Sequence, residues 1–232
     1  MAVSRRIAIV GNGPVPEGLA ETIDAADVVI RFNDCRSMGR GGERTDIVAV
    51  CNTGRPALAM LGGGRWKTSA AVRQAREIWC VRTAEMFAAM RPALAESHPD
   101  LDDFCDDYTL GFETFARATG RRLAVIPAAV HHALDAALAA FDPPPYVVPS
   151  SGLIVIAHVF DSVAKAGERV SIAGFGHEGW QWHPFAAERR WVDAQVAAGR
   201  LDRLEHSRRR SDAAPAGKAP DHMNTTPVSR GS

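Results

Sequence analysis

The sequence predicts an α/β fold: a Rossmann-like, doubly wound and mostly parallel sheet flanked by helices. Short apolar runs such as Ile7-Ala8-Ile9-Val10 and Val28-Val29-Ile30 lack the polar alternation of a half-solvated strand, as parallel strands buried on both faces require. These runs alternate with amphipathic stretches, so strand, loop, helix and strand follow one another within about thirty residues. The runs also stop on glycine and asparagine, at the carboxyl ends where α/β sheets hold their ligands.

The first strand ends in Gly11-Asn12-Gly13-Pro14. Absent side chains at Gly11 and Gly13 open the backbone to a phosphate or ribose, and Asn12 supplies a donor and an acceptor between them. Pro14 and Pro16 stand where a helix should open after a dinucleotide turn, so the pattern is not G-x-G-x-x-G. An ordinary tight βα turn stays open beside the ligand loop. Glu17 to Ala26 reads as a short amphipathic helix and Asp27 to Asn33 as a second strand. A glycine-rich, charged loop over 34–44 leads to a third strand, Thr45 to Asn52. Asn12, Asn33 and Asn52 each close a strand, and in a parallel sheet the three ends face one crevice.

The stretch 53–64 reads as loop, 69–76 as helix, 77–81 as a fourth strand and 83–90 as helix. Residues 96–107 carry six acidic side chains, read as a solvated acidic loop. A divalent-metal site is the alternative, but no glycine-punctuated calcium loop is present. A helix over 111–119, a strand over 122–126 and a helix over 128–141 follow, the last stopped by Pro143-Pro144-Pro145. His131 and His132 lie on that helix and, being adjacent, face different directions.

Pro149-Ser150-Ser151-Gly152 opens a helix whose apolar residues run almost around its circumference, as for a helix buried within the fold. The serines are either caps or, with Gly152 and the free backbone N–H groups, an anion site. A last strand over 169–176 leaves through glycines into His177-Glu178-Gly179-Trp180-Gln181-Trp182-His183, and 184–198 reads as helix. Two histidines at a strand end are candidates for general acid–base work. Residues 1–206 are expected to form the domain and 207–232, rich in Arg, Ser, Pro, Ala and Gly, a disordered tail.

The 232 residues suffice for one domain with a sizeable core, and 46% hydrophobic content with 23% charged is ordinary for a globular protein. Lys plus Arg and Asp plus Glu both number 27, so the charge balance does not point to nucleic acid. No run approaches the ~18 apolar residues of a membrane span, and the N-terminus leads straight into the first strand without a signal-peptide pattern; a cytoplasmic location is expected. Cys35, Cys51, Cys80 and Cys105 show no C-x-x-C spacing and are expected to be reduced.

With these stretches in order, the chain resembles the sialyltransferases of glycosyltransferase family 29. The long motif of that family looks like Gly11-Asn12-Gly13, then Ile23-Asp24-Ala25-Ala26-Asp27-Val28-Val29-Ile30-Arg31-Phe32-Asn33, then Gly42-Glu43-Arg44-Thr45-Asp46. The short motif is similar to Pro149 through Gly176, and the very short motif, H-x-x-x-x-E, to His183 through Glu188. The resemblance implies inverting transfer of a sialic acid-like sugar from a cytidine monophosphate (CMP) donor onto a hydroxyl of a glycan or small acceptor, with no metal or other cofactor. It implies that Asn12 and Asn33 hold the nucleotide beside Gly11 and Gly13. Ser150, Ser151 and Gly152 would hold CMP or the sugar carboxylate, His183 would be the base, near its ordinary pKa of about 6.5, and Glu188 would orient that region. Animal members carry a membrane anchor, a stem and a disulfide between long and short motifs; here no anchor is expected and the short motif has no cysteine. The family's aromatic motif is reduced to Glu178–Trp182, which leaves His177 for the leaving-group contact. The chain also resembles short bacterial proteins labelled as urease-operon accessories, a label of gene neighbourhood more than of chemistry.

Three functions follow from these residues. The first is the glycosyltransferase. The second is a nucleotide-binding accessory or regulatory protein that lost the transfer and has no need of His183 and Glu188. The third is a metal-handling protein using His131, His132, His177 and His183, which lack ligand spacing.

Overall fold

The computed structural model describes residues 4–205, so the tail expected over 207–232 lies outside the described residues. Seven parallel strands form one sheet: β1 Arg6–Val10, β2 Val28–Phe32, β3 Ile47–Val50, β4 Glu77–Cys80, β5 Arg122–Val125, β6 Arg169–Ala173 and β7 Asp202–Arg203. Their order is β5-β4-β3-β2-β1-β6-β7, so the chain winds outward from β1 to β5 and then returns to the other side of β1. The order reverses between β1 and β6, and open α/β sheets form their crevice at the carboxyl ends of such a pair.

Every strand in the middle of the sheet is buried on both faces, which is why its sequence does not alternate. Ile7 and Ile9 of β1 point into one apolar layer, while Ala8 and Val10 point into another. Ile47 and Ala49 of β3 share the first layer, and Val48 and Val50 face a third cluster. The helices are α1 Ala20–Asp24, α2 Gly54–Gly62, α3 Arg65–Thr68, α4 Ala70–Gln74, α5 Ala84–Ser97, α6 Thr109–Ala118, α7 Ala128–Ala139, α8 Ser151–His158 and α9 Phe185–Ala197. The described helices include none long and apolar enough to cross a membrane.

Several expected boundaries move. The helix expected over 17–26 is only α1, because Gly18 sits at φ +82° and cannot be helical. The loop expected over 53–64 is α2: Ala57 and Met60 bury one face at helical spacing, and Pro56 lies in the first turn, where a missing N–H breaks no bond. The helix expected to end at Met90 continues to Ser97 through Pro92, anchored by buried Phe87 and Leu94 seven residues apart. The last strand ends at Ala173 because Gly174, at φ +71°, turns the chain away, and β7 adds an unexpected two-residue edge on Ser171 and Ile172.

The glycines after β1 also have a packing role that was not expected. A Cβ on Gly11 would lie 2.3 Å from Gly174 O, and one on Gly13 2.8 Å from the same oxygen. Their missing side chains therefore admit the β6 exit loop, which Gly11 and Gly13 grip with N–H bonds to Ala173 O (2.8 Å) and Gly174 O (2.9 Å). Gly11→Ala is expected to cost about 3 kcal/mol, since backbone rather than a movable side chain must yield. A urea unfolding curve measures this, and a midpoint equal to the wild type's would contradict the packing described.

The loop over 34–44 is shaped by Arg31. Its fully buried guanidinium donates from Nε to Arg44 O and Thr45 Oγ1, from Nη1 to Ser37 Oγ, and from Nη2 to Gly41 O and Gly42 O. Asp24 accepts from Glu43 N and Arg44 N, and Asp46 from Val29 N. The charged residues of the long motif thus build the loop rather than the crevice.

Candidate functional site

The three strand-ending asparagines form a staircase across the sheet. Asn12, after β1, donates from Nδ2 to Phe32 O at the end of β2 (3.1 Å) and accepts at Oδ1 from Arg36 N (2.9 Å). Asn33, after β2, accepts at Oδ1 from Cys51 N beyond β3 (2.8 Å). Asn52, after β3, exchanges two bonds with the backbone of Arg82 beyond β4, at 2.8 and 3.1 Å. Each amide replaces the ladder rung that its strand pair has run out of, so the strand ends stay in step where the ligand crevice begins. Asn33 sits at φ +48°, a conformation asparagine tolerates, with its carbonyl held by Trp66 Nε1 at 2.7 Å. Asn52 is fully buried, whereas Asn12 and Asn33 border open space, and no described residue takes the Nδ2 of Asn33.

At the mouth of the crevice, Ser150 caps α8 by accepting from Leu153 N (3.3 Å). Glu188, on α9 and 1% exposed, takes Ser150 N (2.6 Å) and Ser150 Oγ (2.7 Å), one on each carboxylate oxygen. Burial raises the Glu188 pKa, and the two bonds from Ser150 hold it back. Glu188 is thereby a brace for the α8 N-terminus. Ser151 and Gly152 remain at the first turn, where unpaired N–H groups and the helix dipole favour an anion.

His183 faces the same space. Its Nδ1 lies 2.8 Å from Val148 O; a carbonyl only accepts, so Nδ1 carries the proton and Nε2 is left as the acceptor. Trp180 and Phe185 pack against the ring at centroid distances of 4.9 and 5.3 Å. Burial lowers its pKa to about 4, which corrects the expectation of a base near the ordinary histidine value. His177, at φ +51°, has a buried Nε2 without a partner, and burial reinforced by Arg203 and Arg189 lowers it to about 4 as well.

A cavity of about 920 Å³ joins these groups, and all ten site residues expected from the sequence line it. That is ample for a nucleotide with a sugar attached. The acidic stretch expected as a solvated loop forms its roof: Phe104 stacks on Trp180 at 5.3 Å, and His98 meets Trp182 edge-on at 4.2 Å. Three of its carboxylates have partners beyond the adjoining residue, Asp103 on Arg55 (2.9 Å), Asp106 on Arg91 (3.2 Å) and Asp107 on Thr109 N (2.8 Å). His131 is turned away to Val81 O (2.8 Å) while His132 is exposed, so the four histidines of the metal reading do not converge. Among the described residues no three His, Cys, Asp or Glu side chains are grouped to hold a metal ion. All four cysteines are free thiols.

Sequence reasoning missed Arg82. It follows the apolar run of β4 and occupies the strand-end row of the asparagines, a position that could have singled it out; it is 1% exposed and lines the cavity.

No family model matches the chain. The urease operon 23 kDa accessory protein of Rhizobium meliloti (strain 1021) is 72% identical over 204 residues, which are 88% of this chain and 94% of that one. Among solved structures, the sialyltransferase CstII from Campylobacter jejuni, in complex with the substrate analogue CMP-3FNeuAc, superposes with a TM-score of 0.51 at 10% identity, over 86% of this chain and 79% of that one. A mammalian sialyltransferase in complex with Gal-beta-1-3GalNAc-ortho-nitrophenol gives 0.50 at 15% identity, over 87% and 69%. The chain thus has the sialyltransferase fold.

Proposed function

Because the chain belongs to the family of the urease operon 23 kDa accessory protein, whose name gives no reaction, we propose its chemistry from the site: inverting, metal-independent transfer of a sialic acid-like sugar from a CMP donor to a hydroxyl acceptor. The observation that carries this is His183, its proton fixed on Nδ1 by Val148 O so that Nε2 is the acceptor, on the cavity that the first turn of α8 also lines. The acceptor O–H gives its proton to Nε2 as the oxygen bonds to the anomeric carbon. The bond from that carbon to the CMP phosphate oxygen breaks, and CMP leaves with the electron pair. Attack and departure on opposite faces invert the carbon. The α8 N–H groups meet the donor's negative charge. In this reading Asn12 and Asn33, which line the cavity, take the nucleotide, Glu188 steadies Ser150, and His177, which lines the cavity as well, takes the leaving group.

The direct test is incubation with CMP-N-acetylneuraminate, reading released CMP. Slow hydrolysis, accelerated by a hydroxyl acceptor, is expected. A second reading is favoured by the name of the 72% identical relative: a nucleotide-binding accessory protein without turnover. It gives CMP binding with the donor left intact, and that result would replace the transferase.

A further inference from the structure

Among the described residues two arginines are fully buried, and they are treated in opposite ways. Arg31 has an acceptor for each of its three nitrogens, five contacts in all. Arg82 has one: Nη2 donates to Pro149 O at 2.8 Å. Its Nε is buried with no partner, and among the described residues no carboxylate lies within ion-pair distance of it. Glu188 is near enough to feel its charge, but both Glu188 oxygens are occupied by Ser150. A guanidinium carries five N–H bonds and does not give up its proton in a protein, so burying it with one acceptor is unfavourable unless something else completes it.

The missing partner has a place. Arg82 lines the cavity, and its one bond goes to the residue that precedes Ser150, so the guanidinium stands next to the first turn of α8. Unpaired N–H groups of that turn therefore border the cavity that Arg82 also lines; of the unspent donors Nε is shut off from solvent, which leaves Nη1 to reach a ligand there. We propose that Arg82 and the α8 N-terminus together form a two-sided oxyanion site, in which the guanidinium binds a phosphate or carboxylate group of the ligand directly. The inference rests on the donor site proposed above and adds to it the residue that discriminates an anionic ligand from its neutral counterpart. Arg suits this because its planar fork matches both oxyanions, and the protein wall behind it keeps water from screening the contact.

Calorimetric titration of CMP, cytidine, N-acetylneuraminate and inorganic phosphate into the wild type, Arg82→Gln and Arg82→Lys tests it. At least one anionic ligand is expected to bind Arg82→Gln about 30-fold more weakly than the wild type, with Arg82→Lys between the two and cytidine unchanged. A loss confined to CMP and phosphate assigns Arg82 to the phosphate, and one confined to N-acetylneuraminate assigns it to the sugar carboxylate. Thermal unfolding of Arg82→Gln is expected at or above the wild-type midpoint, because an uncompensated buried charge is removed; if that variant does not fold, Arg82→Lys carries the comparison. Equal losses for CMP and cytidine would make Arg82 a purely structural support and overturn the inference. Wild-type affinity for every anionic ligand in both variants would overturn it while leaving the nucleotide site standing. Failure of every anion to bind the wild type would remove both.

Discussion

His183→Ala is expected to lower CMP-sugar hydrolysis or transfer by about 10²- to 10⁴-fold, the usual contribution of a positioned general base, while CMP affinity stays within about two-fold. The separation follows from where the histidine stands. Its Nδ1 is committed to Val148 O and its Nε2 to the cavity, so the alanine variant loses a proton acceptor without disturbing Ser150, Asn12 or Asn33. The pH profile carries a second signature. With its pKa lowered to about 4, His183 is neutral across the physiological range, so kcat/KM should be level above pH ~5 and fall only below it. An acid limb near 6.5 would mean a base exposed to water, unlike the one described. Equal turnover by wild type and His183→Ala would remove this residue from the chemistry.

The second large effect is loss of stability in mild acid. Burial, with Arg82 next in weight, lowers His131 to about 4, and burial also lowers His177 and His183 to about 4. In the unfolded chain each takes up its proton near 6.5. Between 6.5 and 4 the unfolded state therefore binds protons that the native state refuses. The stability that neutral histidine contributes is complete above 6.5 and is lost as pH falls through this window. For His131, 1% exposed, the loss by pH 5 is about 2 kcal/mol. His177 and His183 are only partly buried and add less. Glu188 acts the other way, since its raised pKa lets the native state take a proton more readily than the unfolded chain as acid is added. Urea unfolding at pH 7 and pH 5 is expected to show the drop, and His131→Gln, which can still donate to Val81 O, to reduce it. A stability independent of pH over that interval would contradict the burial of these rings in their neutral form.

The parallel sheet was legible because β1 to β4 bury both faces, so uninterrupted Val, Ile and Ala runs could mean little else. Less of it could be read where packing overrides local chemistry. Helix α2 was hidden by Gly54 and Pro56, and β7 has two residues and no apolar period. The site was legible as a set of positions, because strand ends in a doubly wound sheet converge whatever their residues. Local roles were harder to read. Gly11 and Gly13 look like a phosphate loop in one dimension, yet Gly174, more than 160 residues away, fills the space they leave. Asn52 repeats Asn12 and Asn33 in sequence but is buried beneath the crevice. Arg82 carries no motif beyond its place in the strand-end row, and its orphaned Nε is visible only in the fold.

The central claim, that the crevice at the ends of β1, β2 and β6 is a cytidine nucleotide site, is tested most directly by calorimetric titration of the wild type with CMP beside UMP, AMP and GMP. Saturable binding of CMP, at least about ten-fold tighter than the other three, is the result this account expects. Absence of CMP binding at millimolar concentration, or equal affinity for all four, would contradict it and leave the sialyltransferase fold without a sialyltransferase's ligand.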